Sequence, residues 1–302
     1  MATAKTPEKV AIVTGSSSGI GKETTRELVK KGFHVVLACR NKDKTDAVIA
    51  QIALLDRLEA KDCMTFLQLD TSSMASVKAF AAAFLKQFDR LDVLVHNAGT
   101  GYVLKENRTT GDGLEAFFQT NYLGPFMLSS LLLDILKKSG GRVVCVTSIE
   151  HWDGSYDFER VVKKTTALSY STSKLMMLLH AFELRRRHGI PAAAVNPGGV
   201  KSGIWWYLRG WKKSIFEALA GLVLLSENQG CQTTVEAATC EALGEGAVYL
   251  TPYKQWGLCP HRSDYINLYH GPNLAMADDR AYNQVHWKEL WDWSETKLAP
   301  FL

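Results

Sequence analysis

The sequence predicts an α/β fold, a doubly wound parallel sheet of the Rossmann type, and three observations carry that expectation. Short β-rich runs alternate with longer helical patterns. Several runs are apolar at consecutive positions, as strands covered on both faces require. The first run leads straight into a glycine-rich turn that opens a helix.

The strand-like runs are Val10 to Thr14, His34 to Cys39, Met64 to Leu69, Leu91 to Val95, Arg142 to Thr147 and Ile190 to Val195, with a last strand at Ala247 to Thr251. The helical patterns between them run from Gly19 to Lys31, Lys42 to Ala60, Ser73 to Phe88, Gly113 to Lys138 and Leu168 to His188. Right-handed crossovers join such units into one sheet. No repeat, low-complexity stretch or linker divides the chain, so residues 1 to 302 are expected to form one domain. Its cofactor half is about residues 8 to 150, and its catalytic and substrate half follows. The stretch from Gly199 to Ser226, with Ile204, Trp205, Trp206, Tyr207, Trp211, Ile215 and Phe216, breaks the rhythm before the last helix and strand. An insertion near the carboxyl ends of the strands is where this fold places a substrate lid.

Composition narrows the function. At 46% hydrophobic and 22% charged the chain is an ordinary globular one. A net charge of +4, scattered rather than clustered, argues against nucleic acid as a partner. Six cysteines without a CxxC pair read as reduced thiols in a cytoplasmic compartment, and Cys39 and Cys145 fall within strand-like runs. The eight histidines lack HxxxH spacing, so no metal site is expected. The N-terminus reads as neither signal peptide nor anchor. The LAGLVLL run is too short to span a bilayer, though peripheral contact with one is open to it.

The turn after the first strand is TGSSSGIG, residues 14 to 21. Glycines between a strand and a helix let the backbone approach a pyrophosphate at the positive helix end. Gly15, Ser17, Ser18, Gly19, Ile20 and Gly21 are therefore the candidate phosphate cradle. The second strand ends at LACRN, where an NAD-preferring protein would carry an acid for the ribose hydroxyl. Arg40 stands there instead, and a guanidinium fork suits a 2′-phosphate, so NADPH is the expected cofactor.

Tyr170 and Lys174 are four apart in a strongly helical segment and share one face. A phenol is a poor base at neutral pH, but a neighbouring cation favours its phenolate. Alone, a YxxxK pair says little. Ser148, just past the fifth strand, adds a hydroxyl able to polarise a carbonyl oxygen. Asn121 lies in a helix interrupted by Gly124 and Pro125, where a kink frees backbone groups to hold a water.

The order and spacing of Asn121, Ser148, Tyr170 and Lys174 resemble the Asn-Ser-Tyr-Lys tetrad of the short-chain dehydrogenases/reductases. TGSSSGIG resembles that family's TGxxxGxG turn, and Asp70-Thr71, Asn97-Ala98-Gly99 and Pro197-Gly198-Gly199-Val200 complete the set over residues 10 to 200. The resemblance implies that Tyr170 exchanges the proton, Ser148 positions the substrate oxygen, Lys174 holds ribose and tunes the phenol, and Asn121 supports a relay water. It also implies that Asp70 meets the adenine, that Thr71, Asn97, Ala98, Gly99, Pro197, Gly198 and Val200 line the cofactor, and that the chain forms a homo-oligomer. His96 departs from the family's first Asn and reads as a packed structural residue. Within the family, LACRN, the YSTSKL run and QTTVEA look most like the retinol dehydrogenase and WW-domain-oxidoreductase-like branch, which handles hydrophobic substrates.

Tyr102, Trp152, Tyr156, Trp205, Trp206 and Tyr207 are the candidate pocket residues, implying a lipophilic aldehyde, ketone, retinoid or steroid-like ligand. A Trp-Trp pair serves equally to cap a core or join a dimer. The RRRH run at 185 to 188 reads as a solvated helix end, and Trp287, Leu290 and Trp291 as a face packed on the core or a partner. The expected activity is hydride transfer between NADPH and a carbonyl or alcohol. The rival is a non-catalytic NADPH-binding sensor or scaffold of the same fold.

Overall fold

The computed structural model describes residues 8–57, 63–101, 108–200, 224–253 and 269–302. Within them the strands are β1 (Val10–Thr14), β2 (His34–Cys39), β3 (Met64–Gln68), β4 (Val93–His96), β5 (Arg142–Val146), β6 (Ala192–Val195), β7 (Val248–Tyr253) and β8 (Tyr269–Leu274). They form one sheet in the order β3-β2-β1-β4-β5-β6-β7-β8. Every neighbouring pair from β3 to β7 is parallel. β8 is an added antiparallel edge, so Val248–Tyr253 is not the final strand as expected. Its sequence, YHGPNL, contains the two residues that most weaken a strand signal, and an edge is where proline is tolerated.

The continuous apolar runs resolve into two cores because alternate residues face opposite sides of the sheet. Val10, Ile12, Leu94, Val143 and Cys145 face one core, while Ala11, Val13, Val93, Val95 and Val144 face the other. The second is covered by α1 (Gly19–Lys30) and α2 (Lys42–Asp56), as Leu28, Val48 and Ile52 show. α2 stops at Asp56, where Arg57 turns left-handed at φ 55°; the rest of the expected extension to Ala60 lies outside the described residues.

The first core is covered by α3 (Met74–Gln87) and by the chain between β4 and β5. That chain is not the single helix the pattern predicts. It breaks into α4 (Ala116–Phe118), a π-helical turn (Gln119–Leu123), α5 (Gly124–Leu131) and α6 (Leu133–Ser139). Gly124 touches the Thr71 carbonyl so closely that a Cβ would collide with it, which ties the π turn to the end of β3.

After β5 come a 3₁₀ turn (Ile149–Asp153), the short α7 (Phe158–Val162) and the long α8 (Ser169–His188). α8 is buried on all sides from Ser169 to Leu184. One side lies on β5 and β6, whose Ala192 and Ala194 permit close approach, and α10 (Gln284–Leu298) covers another. The expected Trp287, Leu290 and Trp291 face turns toward this core. Trp291 lies 4.8 Å from Phe126 and stacks on His180 at 5.6 Å. The RRRH run is not simply solvated. Arg186 and Arg187 grip the buried Glu183 at 2.6 and 3.1 Å, and Arg187 reaches Asp292 of α10 at 3.0 Å. α9 (Glu227–Thr239), started by a Ser226 and Gln229 capping box, packs beside α1. Among the described residues, no helix is long and apolar enough to cross a membrane.

Candidate active site

The carboxyl ends of the parallel strands converge on one region, and most of the expected residues stand there. At the end of β1, Gly15 and Gly19 adopt φ of +69° and +59°, which L side chains rarely do. A Cβ on Gly15 would lie 2.9 Å from the Cα of Ala98, and one on Gly21 would lie 2.5 Å from the Gly15 carbonyl oxygen. Thr14, which the sequence reading did not single out, organises this meeting. Its hydroxyl oxygen accepts from the backbone N–H of Asn97 at 3.0 Å and of Ala98 at 2.9 Å, while Asn97 Nδ2 donates to the Thr14 carbonyl at 2.8 Å. The glycine turn and the Asn97-Ala98-Gly99 turn are thus one unit. Ser17 is half-buried and Ser18, the residue preceding α1, is exposed, so the helix start is open. Ile20 packs against Val200 and Leu225.

Arg40 is exposed immediately after β2 and makes no ion pair with any described residue. Asp70 is fixed by a local turn, its Oδ1 accepting from the Ser72 N–H at 2.9 Å and the Ser72 hydroxyl at 2.6 Å. Thr71 is 5% exposed beneath Gly124. After β6, Asn196 Oδ1 accepts from the Gly198 N–H at 3.0 Å, and Gly198 turns at φ +83° beyond the buried Pro197. Val200 pairs with Leu225 and lies against Gly230 of α9, where any Cβ would strike it.

Lys174 ties several of the expected positions together. Its backbone carbonyl accepts from the Thr147 hydroxyl at 2.7 Å, and its Nζ donates to the Val146 carbonyl at 3.1 Å, so α8 is pinned to the end of β5. The Nζ lies 5.7 Å from the centre of the Tyr170 ring. Burial lowers the Lys174 pKa from 10.5 to about 8. Tyr170 is 6% exposed and meets Phe117 edge-on at 6.2 Å. Gly99 sits between Asn121 and Lys174, since a Cβ there would lie 3.3 Å from Asn121 Oδ1 and 3.4 Å from Lys174 Nζ. Asn121 in the π turn uses its side chain structurally: Oδ1 accepts from the Thr100 N–H at 2.8 Å, and Nδ2 donates to the Thr100 carbonyl and to Ser173 Oγ. Ser148 starts the 3₁₀ turn, its hydroxyl oxygen accepting from the Glu150 N–H at 3.3 Å.

The expected pocket is only partly brought together. Trp152 is buried in the turn after Ser148. Tyr156 is instead held in packing with the C-terminal region, 4.5 Å from His286 and with the Arg280 guanidinium 5.0 Å from its ring centre. Tyr102, Trp205, Trp206 and Tyr207, with most of the expected lid, lie outside the described residues. His96 is a packed residue, its Nε2 2.7 Å from the Ser129 hydroxyl, which also lies 3.1 Å from His180 Nε2.

These geometries accord with the comparisons. The short chain dehydrogenase family model matches residues 9–213, and the chain belongs to that family, in its retinol dehydrogenase-like branch. It is 37% identical over 245 residues to dehydrogenase/reductase SDR family member 13 of Bos taurus, covering 78% of this chain but 63% of that relative's length. It is also 37% identical to retinol dehydrogenase 12 of Mus musculus, covering 78% of this chain and 75% of that one. Polyprenol dehydrogenase of Homo sapiens is 34% identical over 82% of this chain and 78% of its own. A crystal structure of an uncharacterized protein from Mycobacterium paratuberculosis superposes with a TM-score of 0.71 at 28% identity, covering 96% of this chain and 92% of that one. Actinorhodin polyketide ketoreductase, solved with NADPH, shares the fold at a TM-score of 0.61 and 23% identity, covering 83% of this chain and 97% of its own. The chain thus belongs to a family of oxidoreductases.

Proposed function

We propose that the chain is an NADPH-preferring oxidoreductase moving hydride between the nicotinamide and the carbonyl or alcohol of a hydrophobic substrate, with Tyr170 as the proton-transfer residue. The juxtaposition of buried Lys174 and Tyr170 carries this reading. With its pKa near 8, Lys174 is still mostly charged at neutral pH, and in a poorly solvated setting that charge acts strongly on the adjacent phenol. It favours the phenolate, so Tyr170 can release a proton to, or take one from, a substrate oxygen.

The other side chains support complementary roles. Because Ser148 Oγ already accepts from Glu150, its own proton is left to donate to the substrate oxygen. One Lys174 N–H is taken by Val146, which leaves two donors for ribose hydroxyls. The Asn121 side chain is engaged with Thr100 and Ser173. The π turn, with the Gly124 N–H bonded five residues back to the Gln119 carbonyl, supports a backbone group there as the holder of a relay water.

The residues present fit a dinucleotide. A Cβ-free cradle at Gly15 and Gly21 adjoins the open start of α1, and Arg40 stands ready for a 2′-phosphate. Asp70 and Thr71 would meet the adenine end, while Asn97, Ala98, Gly99, Pro197, Gly198 and Val200 would line the cofactor. When bound, the cofactor supplies or accepts the hydride. Retinol and polyprenol dehydrogenases among the relatives support an apolar alcohol or aldehyde as substrate.

NADPH consumption by the purified protein against hydrophobic aldehydes and ketones, with Tyr170→Phe as control, tests the proposal. Turnover abolished by the substitution is the expected result. Tight NADPH binding without turnover on any member of the panel would favour the sensor reading.

A further inference from the structure

The turn that carries Ser148 hangs from a distant part of the chain through His151, a residue that the proposed chemistry does not use. His151 is fully buried. Its Nδ1 lies 2.7 Å from the Ser148 carbonyl oxygen, and its Nε2 lies 3.3 Å from the backbone nitrogen of Asp278. A backbone N–H can only donate, so Nε2 is the acceptor. Nδ1 therefore carries the proton and donates to the Ser148 carbonyl.

Two neighbouring bonds strengthen the tie. Arg280, paired with Asp278 at 2.9 Å through Nε, donates from Nη2 to the Trp152 carbonyl at 3.2 Å. On its opposite side the turn is pressed onto α8: a Cβ on Gly154 would lie 2.8 Å from Leu175 Cβ, and the Ser155 N–H donates to Thr172 Oγ1 at 3.0 Å. The Ser148 peptide is thus gripped between the helix that carries Tyr170 and the C-terminal segment. The direction of its carbonyl is set by ψ of 161°, and that rotation also decides where the Glu150 N–H meets Ser148 Oγ.

We propose that His151 is a positioning residue for Ser148: by donating from Nδ1 to the Ser148 carbonyl, its tautomer set by the Asp278 N–H, it holds the hydroxyl in the orientation that meets the substrate oxygen. This rests on the reading that Ser148 polarises that oxygen. His151 does not touch substrate or cofactor in this scheme. It acts by reducing the freedom of one peptide unit.

His151→Asn and His151→Gln separate this role from general packing. Asn places an N–H donor near the Nδ1 position and so retains the clamp on Ser148. Gln reaches only the Nε2 position and leaves the Ser148 carbonyl without its side-chain donor. Amide exchange of Glu150, followed by NMR, reads the Ser148 cap without any substrate. The expected result is exchange about tenfold faster in His151→Gln and near wild type in His151→Asn, a loss of the size one hydrogen bond produces. Nonanal reduction with NADPH should show the same order in kcat, with NADPH affinity unchanged in both variants. Equal Glu150 protection in the two variants, or a kcat in His151→Asn as low as in His151→Gln, would overturn the inference. Ser148→Ala run alongside keeps the two ideas apart. If it leaves nonanal turnover intact, the role of the hydroxyl fails, whereas the exchange comparison still decides whether His151 holds the turn.

Discussion

Lys174 donates to the Val146 carbonyl at 3.1 Å while its ammonium stands 5.7 Å from the centre of the Tyr170 ring, so the cation belongs both to the end of the central strand and to the phenol. Burial makes this arrangement costly for folding, because the charged form is desolvated without a carboxylate partner. A lysine lowered from 10.5 to about 8 penalises the fold below pH 8, and the penalty fades as pH rises to 10.5. Lys174→Met is therefore expected to stabilise the cofactor-free protein at pH 7 by about 1–3 kcal/mol while abolishing turnover. Urea denaturation at pH 7 and pH 10 checks it, the advantage shrinking at the higher pH.

Arg40 gives the most direct measure of cofactor choice. It is exposed after β2 with no ion pair among the described residues, so no described carboxylate competes for its guanidinium. Arg40→Ala is expected to weaken NADPH binding about tenfold to a hundredfold, the worth of a charge-assisted contact, and to leave NADH binding nearly unchanged. Calorimetric titration with both nucleotides provides the comparison, and equal losses for the two would remove the assignment.

The glycine turn and the Asn97 turn leave no volume for one another to grow. Gly21→Ala would put a methyl group 2.5 Å from the Gly15 carbonyl oxygen and against the Asn97 amide. A stability loss of about 2 kcal/mol is expected from the forced shift, together with a larger NADPH Kd, because the displaced backbone is the proposed phosphate cradle. Thermal melts with and without NADPH separate the two effects.

His96 and His180 share one hydroxyl, that of Ser129, and the buried Nδ1 of each has no hydrogen-bond partner among the described residues. Burial pushes His180 down to about 3 and His96 well below the usual 6.5. Both are held neutral in the fold yet protonate freely when unfolded. Stability is therefore expected to fall as pH drops below 6.5, by up to about 1.4 kcal/mol per pH unit for each ring. His180→Phe, which keeps an aromatic ring beside Trp291, is expected to flatten this slope between pH 6.5 and 4.5 in urea titrations.

Much of the site was legible in the sequence because its demands are local. Gly15 and Gly19 are required by positive φ, Tyr170 and Lys174 share a face because helix periodicity puts them there, and Ser148 follows the end of β5 by two residues. The same periodicity misled between β4 and β5. A run that reads as one helix is broken at Gln119–Leu123 because Gly124 must fit under the Thr71 carbonyl. Tyr156, aromatic and near the tetrad in sequence, was drawn into packing by Arg280 and His286, which no local pattern announces.

By itself, then, the sequence determined the alternation of strands and helices, the glycine turn after β1, the shared helix face of Tyr170 and Lys174 and the place of Arg40 after β2, all set by backbone needs and periods within a few residues. Only the tertiary structure decided that β8 closes the sheet antiparallel, that α10 covers α8, that Lys174 is buried enough to lose part of its affinity for a proton, and that His151 joins Ser148 to Asp278. Those outcomes depend on pairing and burial between segments as far apart as residues 151 and 278. Such contacts form only where the whole fold brings the chain back on itself.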